Sequence, residues 1–397
     1  MTGTRERLLA AAAAEFATRG YNATAVQDVA DAVGIQKSSV YKHFRSKEDL
    51  LLGCLARGHE LREEVLDRVA ALDLAPIDTL REYLRSYLVT MLSNRDLSAV
   101  FAREWVHLAE ARRAADLEQR RRRRHVPTEL VRAAAAEDVD ATLVATYLRG
   151  AVHSALDWYR EDGPDPLDAV AKAMADLGCV LVVGASPQSA RADAPDPGTR
   201  RAIGARAPRS RRDAIDDAAL RIVRAKGFAA TTVQDVAAEA GVLKGSIYHY
   251  VESKDELLMR IFEAAHLELT TIVGTVAQLD ATPADQLCEL VRLQVGWFLE
   301  SLDQSVVLFR EWPFLAGEHR KLVAGRRKGL ERFAGRLFEQ ARSTDEIPPG
   351  AGTGITVRFA LGAANAVSDW YRPAGHWDPA RVAVGYAELT RGLLHHT

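Results

Sequence analysis

Cysteine is nearly missing from this chain: Cys54, Cys179 and Cys288 are the three among 397 residues. They are scattered and fall at neither a metal-ligand nor a redox spacing, so they read as buried or neutral thiols in a reducing cytoplasm. Strand-like alternation is rare, and proline is sparse inside the long segments. The formal net charge is only −2. Attraction to nucleic acid therefore cannot come from bulk charge and has to rest on local patches. No signal peptide is visible, and the apolar run Leu177 to Ala185 is too short to cross a bilayer, so no membrane partner is expected. There is no H-E-x-x-H and no Gly-rich phosphate loop, and His59, His107, His153 and His266 stand alone. Glu104 and Glu311 each follow an arginine without a second carboxylate or nucleophile nearby. No enzyme, metal or cofactor is expected.

What is present is apolar and helical. Hydrophobic residues make up 48% of the chain, and Ala, Leu, Arg and Glu abound. The expected class is all-α, in two or three domains given the length.

One stretch organises the rest. Thr24 and Gln27 have capping-box spacing, which predicts a helix starting at Thr24. Val26, Val29, Ala30 and Val33 fall on one apolar face, and Gly34 stops the helix because glycine takes the left-handed turn cheaply. A short second helix follows, with Lys37, Ser38 and Ser39 outward and Val40 inward. Ser46 and Asp49 repeat the capping spacing and launch a third helix. Two short helices around a glycine turn form a helix-turn-helix, whose second helix can lie in a DNA major groove. Lys37, Ser38 and Ser39 suit base edges; Thr24, Tyr41, His43 and Lys47 suit phosphates. An ordinary helical hairpin explains the apolar spacing but not so many exposed donors.

The pattern T-x-V-x-D-V-A-x-x-x-G-I-x-K-x-S-V-Y-x-H-F-x-S-K-x-x-L, from Thr24 to Leu50, resembles the DNA-binding domain of TetR-family transcriptional regulators. The resemblance implies a three-helix DNA-binding head followed by a helical ligand-binding and dimerisation bundle.

The pattern then recurs. Gly227, Thr231, Lys244, Ser246 and Tyr248 repeat Gly20, Thr24, Lys37, Ser39 and Tyr41 at a step of 207 residues. Arg310-Glu311-Trp312 repeats Arg103-Glu104-Trp105 at the same step. Asp369-Trp370-Tyr371-Arg372 repeats Asp157-Trp158-Tyr159-Arg160 at a step of 212. A period this long means two whole domains. The expected division is a head at 1–47, a bundle at 48–183, a linker at 184–208, a second head at 209–254 and a second bundle at 255–397. In the second head Lys244, Gly245 and Ser246 take the base-facing positions, and Thr231, Tyr248, Tyr250 and Lys254 those at phosphates. Phe101 to Ala115 reads as one helix, as does Thr353 to Arg372. Small residues on Asp140 to Arg160 and on Thr353 to Arg372 would let helices pack closely. Family members usually dimerise through their last two helices, so here an intramolecular pseudo-dimer is expected, on an operator that is an imperfect palindrome of double-stranded DNA.

The R-E-W and D-W-Y-R pairs resemble a TetR subgroup that often senses acyl-coenzyme A thioesters. The resemblance implies effector contacts at Arg103, Trp105, Trp158, Tyr159 and Arg160, and at Arg310, Trp312, Trp370, Tyr371 and Arg372. Arg120 to Arg124, or Arg326, Arg327 and Lys328, would take phosphates. The first copy departs from the subgroup ending, with Glu161 and Asp162 before Gly163-Pro164, which weakens the case for effector binding by the first half. The aromatics also suit plain core packing. The function expected is a ligand-responsive repressor. A drug-responsive repressor of an efflux pump, or a binding protein that has lost DNA contact, are the alternatives.

Overall fold

The computed structural model describes residues 3–396 except 138, 185–209, 313–314, 316, 348–351 and 376. The expected linker lies outside the described residues apart from Gly184. Every regular element among the described residues is a helix. The chain divides into two compact units: one of residues up to Ala134 with Val152–Cys179, the other of Ala135–Ala151 with Val180 onward.

The first unit opens with α1 (Thr4–Arg19), whose Leu8, Ala12 and Phe16 are buried. α2 (Val26–Val33) packs on it through Val26, Val29 and Ala30. Gly34 ends α2 in the left-handed region, at φ 75°, as its glycine predicted. α3 (Lys37–Val40) is a single turn that buries only Val40. α4 (Lys47–Ala70) starts at Ser46, whose hydroxyl accepts the Asp49 N–H at 3.1 Å. α5 (Pro76–Ser93), α6 (Arg95–Arg103) and α7 (Glu110–Ala134) follow. α6 packs against α1 and α4, so the head rests directly on the bundle. The last part of α8 (Ala141–Trp158) and most of α9 (Leu167–Gly184) belong to this unit too.

The second unit repeats the scheme. α10 (Arg211–Lys226), α11 (Val233–Glu239) and a 3-10 turn at Ser246–His249 form its head. α12 (Lys254–Ala277), α13 (Pro283–Glu300), α14 (Leu302–Glu311) and α15 (Gly317–Ser343) follow, then α16 (Thr353–Asn365), α17 (Val367–Trp370) and α18 (Pro379–His396). The beginning of α8 is part of this unit. There the Tyr147 ring lies 5.0 Å from that of Tyr386, and its hydroxyl is 3.0 Å from Thr390 Oγ1. Gly150 lies so close to α16 that a Cβ would come within 2.9 Å of Ala366 Cβ and 3.1 Å of the Ala363 backbone.

Three local expectations need correction. The N-terminal caps sit one residue later than Thr24 and Thr231. Asp28 reaches back to the Ala25 N–H at 2.7 Å, and Asp235 to the Thr232 N–H at 2.8 Å. Carboxylates outcompete Gln27 and Gln234 as acceptors because the hydrogen bond is charge-assisted. Phe101 to Ala115 is not one helix. It breaks into α6, a 3-10 turn at Glu104–His107 and α7, because the chain turns to bury Glu104 and Leu108. Thr353 to Arg372 is likewise interrupted at Ala366.

Gly34 and Gly241 both have positive φ, and a Cβ at either would meet no atom. Replacement by alanine therefore carries a purely conformational cost. Gly34→Ala and Gly241→Ala are each expected to lower stability by about 1–2 kcal/mol, read as a fall in the urea midpoint without a change in slope.

Candidate functional site

The two heads present similar outward faces. In the first, Lys37, Ser38, Tyr41, Lys42 and His43 are exposed and Ser39 is half-buried, while Val40 anchors the turn. In the second, Ile247 is the buried anchor; Lys244, Gly245, Tyr248, His249 and Tyr250 are exposed and Ser246 is half-buried. Leu243 is 81% exposed in the second head, where the first has Gln36. The heads thus hold donors, phenols and one bare apolar side chain on protruding turns.

Four residues expected at phosphates are engaged elsewhere. Thr24 and Thr231 are buried, and their hydroxyls donate to the Gly20 and Gly227 carbonyls at 2.9 and 2.8 Å. The Lys47 ammonium donates to the Tyr21 and Thr24 carbonyls, both at 2.9 Å, and to the Asn22 carbonyl at 3.4 Å. An ammonium has three hydrogens, so its donors are fully engaged. It also lies 4.3 Å above the Tyr21 ring, a cation–π contact. Burial lowers its pKa. Lys254 repeats the arrangement on the Phe228 and Ala229 carbonyls and the Phe228 ring. These lysines fasten the loop after the first helix of each head while remaining half-exposed.

The same loop is held from behind. The buried Glu104 carboxylate accepts the Tyr21 N–H at 2.9 Å, and the buried Glu311 carboxylate accepts the Phe228 N–H at 3.2 Å. His107 stacks on Tyr21 and lies 3.5 Å from Glu104 Oε2. Arg310 bonds Glu311 at 2.7 Å and donates to the Val223 and Arg224 carbonyls at the end of α10. In the sequence, Glu104 and Glu311 stand out as the centre of the repeated R-E-W motif and not as supports of the head. Their signal was the shared step with Tyr21 and Phe228.

The residues expected at an effector are helix-end structure. Arg103 Nε donates to the Ala99 carbonyl at 3.4 Å, and Trp105 lies half-buried beneath Arg120. Trp158 Nε1 donates to Ser154, Tyr159 is buried, and Arg160 caps the Asp157 and Tyr159 carbonyls. Trp312 is covered by Arg327 at 4.3 Å. Trp370 donates to Tyr386 at 3.2 Å, Tyr371 to the Trp377 carbonyl at 3.2 Å, and Arg372 caps Asp369 and Tyr371. Arg120 is drawn inward by Asp116 and the Phe101 carbonyl, which takes it from the proposed phosphate mouth. The side chains of Arg122 to Arg124 lie outside the described residues.

A cavity exists in the first unit, but none of those candidates lines it. A small, solvent-open pocket lies between α4, α5, α6 and the end of α8, with room for little more than one water molecule. Arg62, Tyr87, Phe101 and His153 are in its wall, with Tyr87 Oη 2.8 Å from His153 Nε2. Burial raises the Cys54 and Cys288 thiols to about 12 and Cys179 to about 11, so all three are inert thiols, as expected.

Glu104→Ala leaves the Tyr21 N–H buried without an acceptor, and is expected to cost about 1–3 kcal/mol by urea unfolding. Acid stability should report Asp116. Burial alone would raise its pKa, but the His59 hydrogen bond and Arg120 outweigh burial and hold it below 3.8. A depressed folded pKa contributes stability that is complete above the unfolded value and is lost as pH falls through the folded one. Asp116→Asn should therefore flatten the fall of the urea midpoint below about pH 4.

Comparison with known proteins accords with this architecture. The family model described as bacterial regulatory proteins, tetR family, matches residues 8–54 and 215–261. The model described as tetracyclin repressor-like, C-terminal domain, matches 73–182 and 280–394. The HTH-type transcriptional repressor KstR2 of Rhodococcus jostii is 32% identical over 198 residues, which are 47% of this chain and 94% of that protein. A probable acrEF/envCD operon repressor of Escherichia coli is 34% identical over 82 residues, 20% of this chain and 37% of that protein. A solved structure, AibR in complex with isovaleryl coenzyme A and operator DNA, is 24% identical, covering 45% of this chain and 96% of that one at a TM-score of 0.42. No described helix is long and apolar enough to cross a membrane. With both family models matched twice, in the same order, the chain belongs to the TetR family of bacterial regulatory proteins, as a tandem of two family members.

Proposed function

We propose that this chain is a transcriptional repressor that carries both halves of a DNA-reading dimer and is released from its operator by a small molecule. The observation that carries the reading is the pair of outward faces on the two heads, each within a match to the family's regulatory model. Lys37, Ser38 and Ser39, with Lys244, Gly245 and Ser246, face bases; Tyr41 and His43, with Tyr248 and Tyr250, meet phosphates. The heads differ at Gln36 and Leu243, Ser38 and Gly245, Lys42 and His249, and His43 and Tyr250. The 81%-exposed Leu243 suits a thymine methyl group, whereas Gln36 suits adenine. The operator is then an imperfect palindrome.

Pairing within one chain is supported by the contacts of α8 with α16 and α18. Gly150 and Tyr147 come from the first repeat, while Ala363, Ala366, Tyr386 and Thr390 come from the second. Release requires an effector that binds more tightly to the form that does not bind DNA. An acyl-coenzyme A thioester is the proposed class. α6 is the proposed lever: Phe101 and Ser98 line the cavity, and Glu104, one turn on, holds the Tyr21 N–H.

The test is to sequence DNA fragments retained by the purified chain and then titrate the enriched sequence. One sequence with two unlike half-sites is expected. Lys37→Ala should weaken its binding by about 1–3 kcal/mol and relax one half-site only. Retention of fragments without any shared sequence would contradict the reading.

A further inference from the structure

Behind their reading turns the two heads differ by three substitutions that fit one another. At the step of 207, Leu9 of α1 corresponds to Asp216 of α10, Phe44 to Val251, and Gly53 of α4 to Arg260 of α12. In the first head the place is apolar and full. A Cβ on Gly53 would lie 2.6 Å from Leu9 Cδ2 and 3.2 Å from Phe44 Cε1. In the second head the ring is a valine, the leucine an aspartate and the glycine an arginine.

The Arg260 side chain is only 9% exposed. Its Nη2 lies 2.5 Å from Asp216 Oδ1, and its Nη1 lies 3.7 Å from Glu256 Oε1. Nη1 also donates to the Tyr250 carbonyl at 3.1 Å. Tyr250 directly follows the 3-10 turn Ser246–His249. One guanidinium thus ties α10 to the end of the second reading turn. Gly53 has no side chain with which to reach the equivalent carbonyl, that of His43.

The second reading segment has more need of such a tie. Residues 36–45 of the first head expose Lys37, Lys42 and Arg45, a formal +3. Residues 243–252 of the second expose Lys244 and Glu252, a formal zero. Charge alone draws this head to phosphates less, so its binding leans on short-range contacts that require a fixed backbone. The turn also carries Gly245 in place of Ser38, and glycine loses the most freedom on ordering. Holding the Tyr250 carbonyl before DNA arrives lowers that ordering cost.

We propose that Arg260, oriented by Asp216, is a positioning residue of the second head. It holds the end of the reading turn in the form that meets DNA, so the second half-site depends on this pair and the first does not. This rests on the DNA-reading function proposed above. Arg260 acts through the Tyr250 backbone and not as a phosphate contact, since Asp216 and Glu256 already meet its charge.

The test titrates the full chain, over a range of salt concentrations, with two forms of the enriched operator. One has its first half-site scrambled, the other its second, the half-sites being assigned by Lys37→Ala. Burial raises the Asp216 pKa even beside Arg260, so removing the arginine alone leaves a poorly tolerated carboxylate. The decisive variant therefore copies the first head: Asp216→Leu, Val251→Phe and Arg260→Gly together. It exchanges a partly buried ion pair for apolar packing, a change that is often neutral or stabilising. Binding through the second half-site should weaken about tenfold, with an unchanged slope against log salt. Binding through the first half-site should not change. Arg260→Lys keeps a charge beside Asp216 but lacks the fork that also reaches the carbonyl. It should show a smaller loss of the same pattern, and it decides the matter if the triple variant does not unfold cooperatively. Unchanged affinity at the second half-site, or an equal loss at both, would overturn the proposal. So would a salt slope reduced by about one, which would make Arg260 a phosphate ligand. Failure of the unaltered chain to bind either DNA contradicts the repressor reading itself, whereas normal binding with any of those outcomes contradicts only the brace.

Discussion

In each repeat one residue after the first helix of the reading head is held on both sides of its backbone, at a place where the head meets the helices behind it. At Tyr21 the N–H is held by the buried Glu104 carboxylate and the C=O by the Lys47 ammonium. At Phe228 the same two bonds come from Glu311 and Lys254. A buried carboxylate is tolerated only when its charge is met by donors. Glu104 therefore needs the Tyr21 N–H as much as that group needs Glu104. This mutual requirement explains the break between α6 and α7, since a continuous helix would not turn the carboxylate inward. It also explains why Lys47, although it follows the reading turn, is engaged by the loop carbonyls. A junction this local means that a shift of α6 reaches the head without passing through the rest of the bundle.

The duplication kept that junction and let other regions change. The aromatic beneath the lysine changed from tyrosine to phenylalanine, and both contacts persist at 4.3 Å, because a cation–π contact needs the ring and not the hydroxyl. The outward faces changed more, as is open to two heads that always travel together. A homodimer must read both half-sites with one sequence, whereas two heads on one chain can diverge. The interior changed as well, from Tyr87 with His153 to Gln294 with Asn365, and the bond across the helices remained.

The head was largely legible in the sequence, because its rules are local. Gly34, the spacing of Val26, Val29 and Ala30, and the Ser46 cap all depend on residues within a turn or two. The repeat was legible because identities recur at one step. What failed to show depended on contacts far apart in the chain. Thr24 looks like a helix start until its hydroxyl is seen to face the Gly20 carbonyl. Glu104 has its partner 83 residues upstream. Trp370 and Arg372 resembled a ligand motif, yet their polar atoms bond Tyr386 and the last carbonyls of their own helix end. The small pocket beside Thr90 left no motif at all, and the space above Gly58 is taken by the Phe101 ring.

The central claim is that one chain holds two cooperating readers. Native mass spectrometry of the full chain with its enriched operator tests this most directly. The account predicts a complex of one chain and one duplex. A complex in which two chains are needed to occupy one duplex would contradict it.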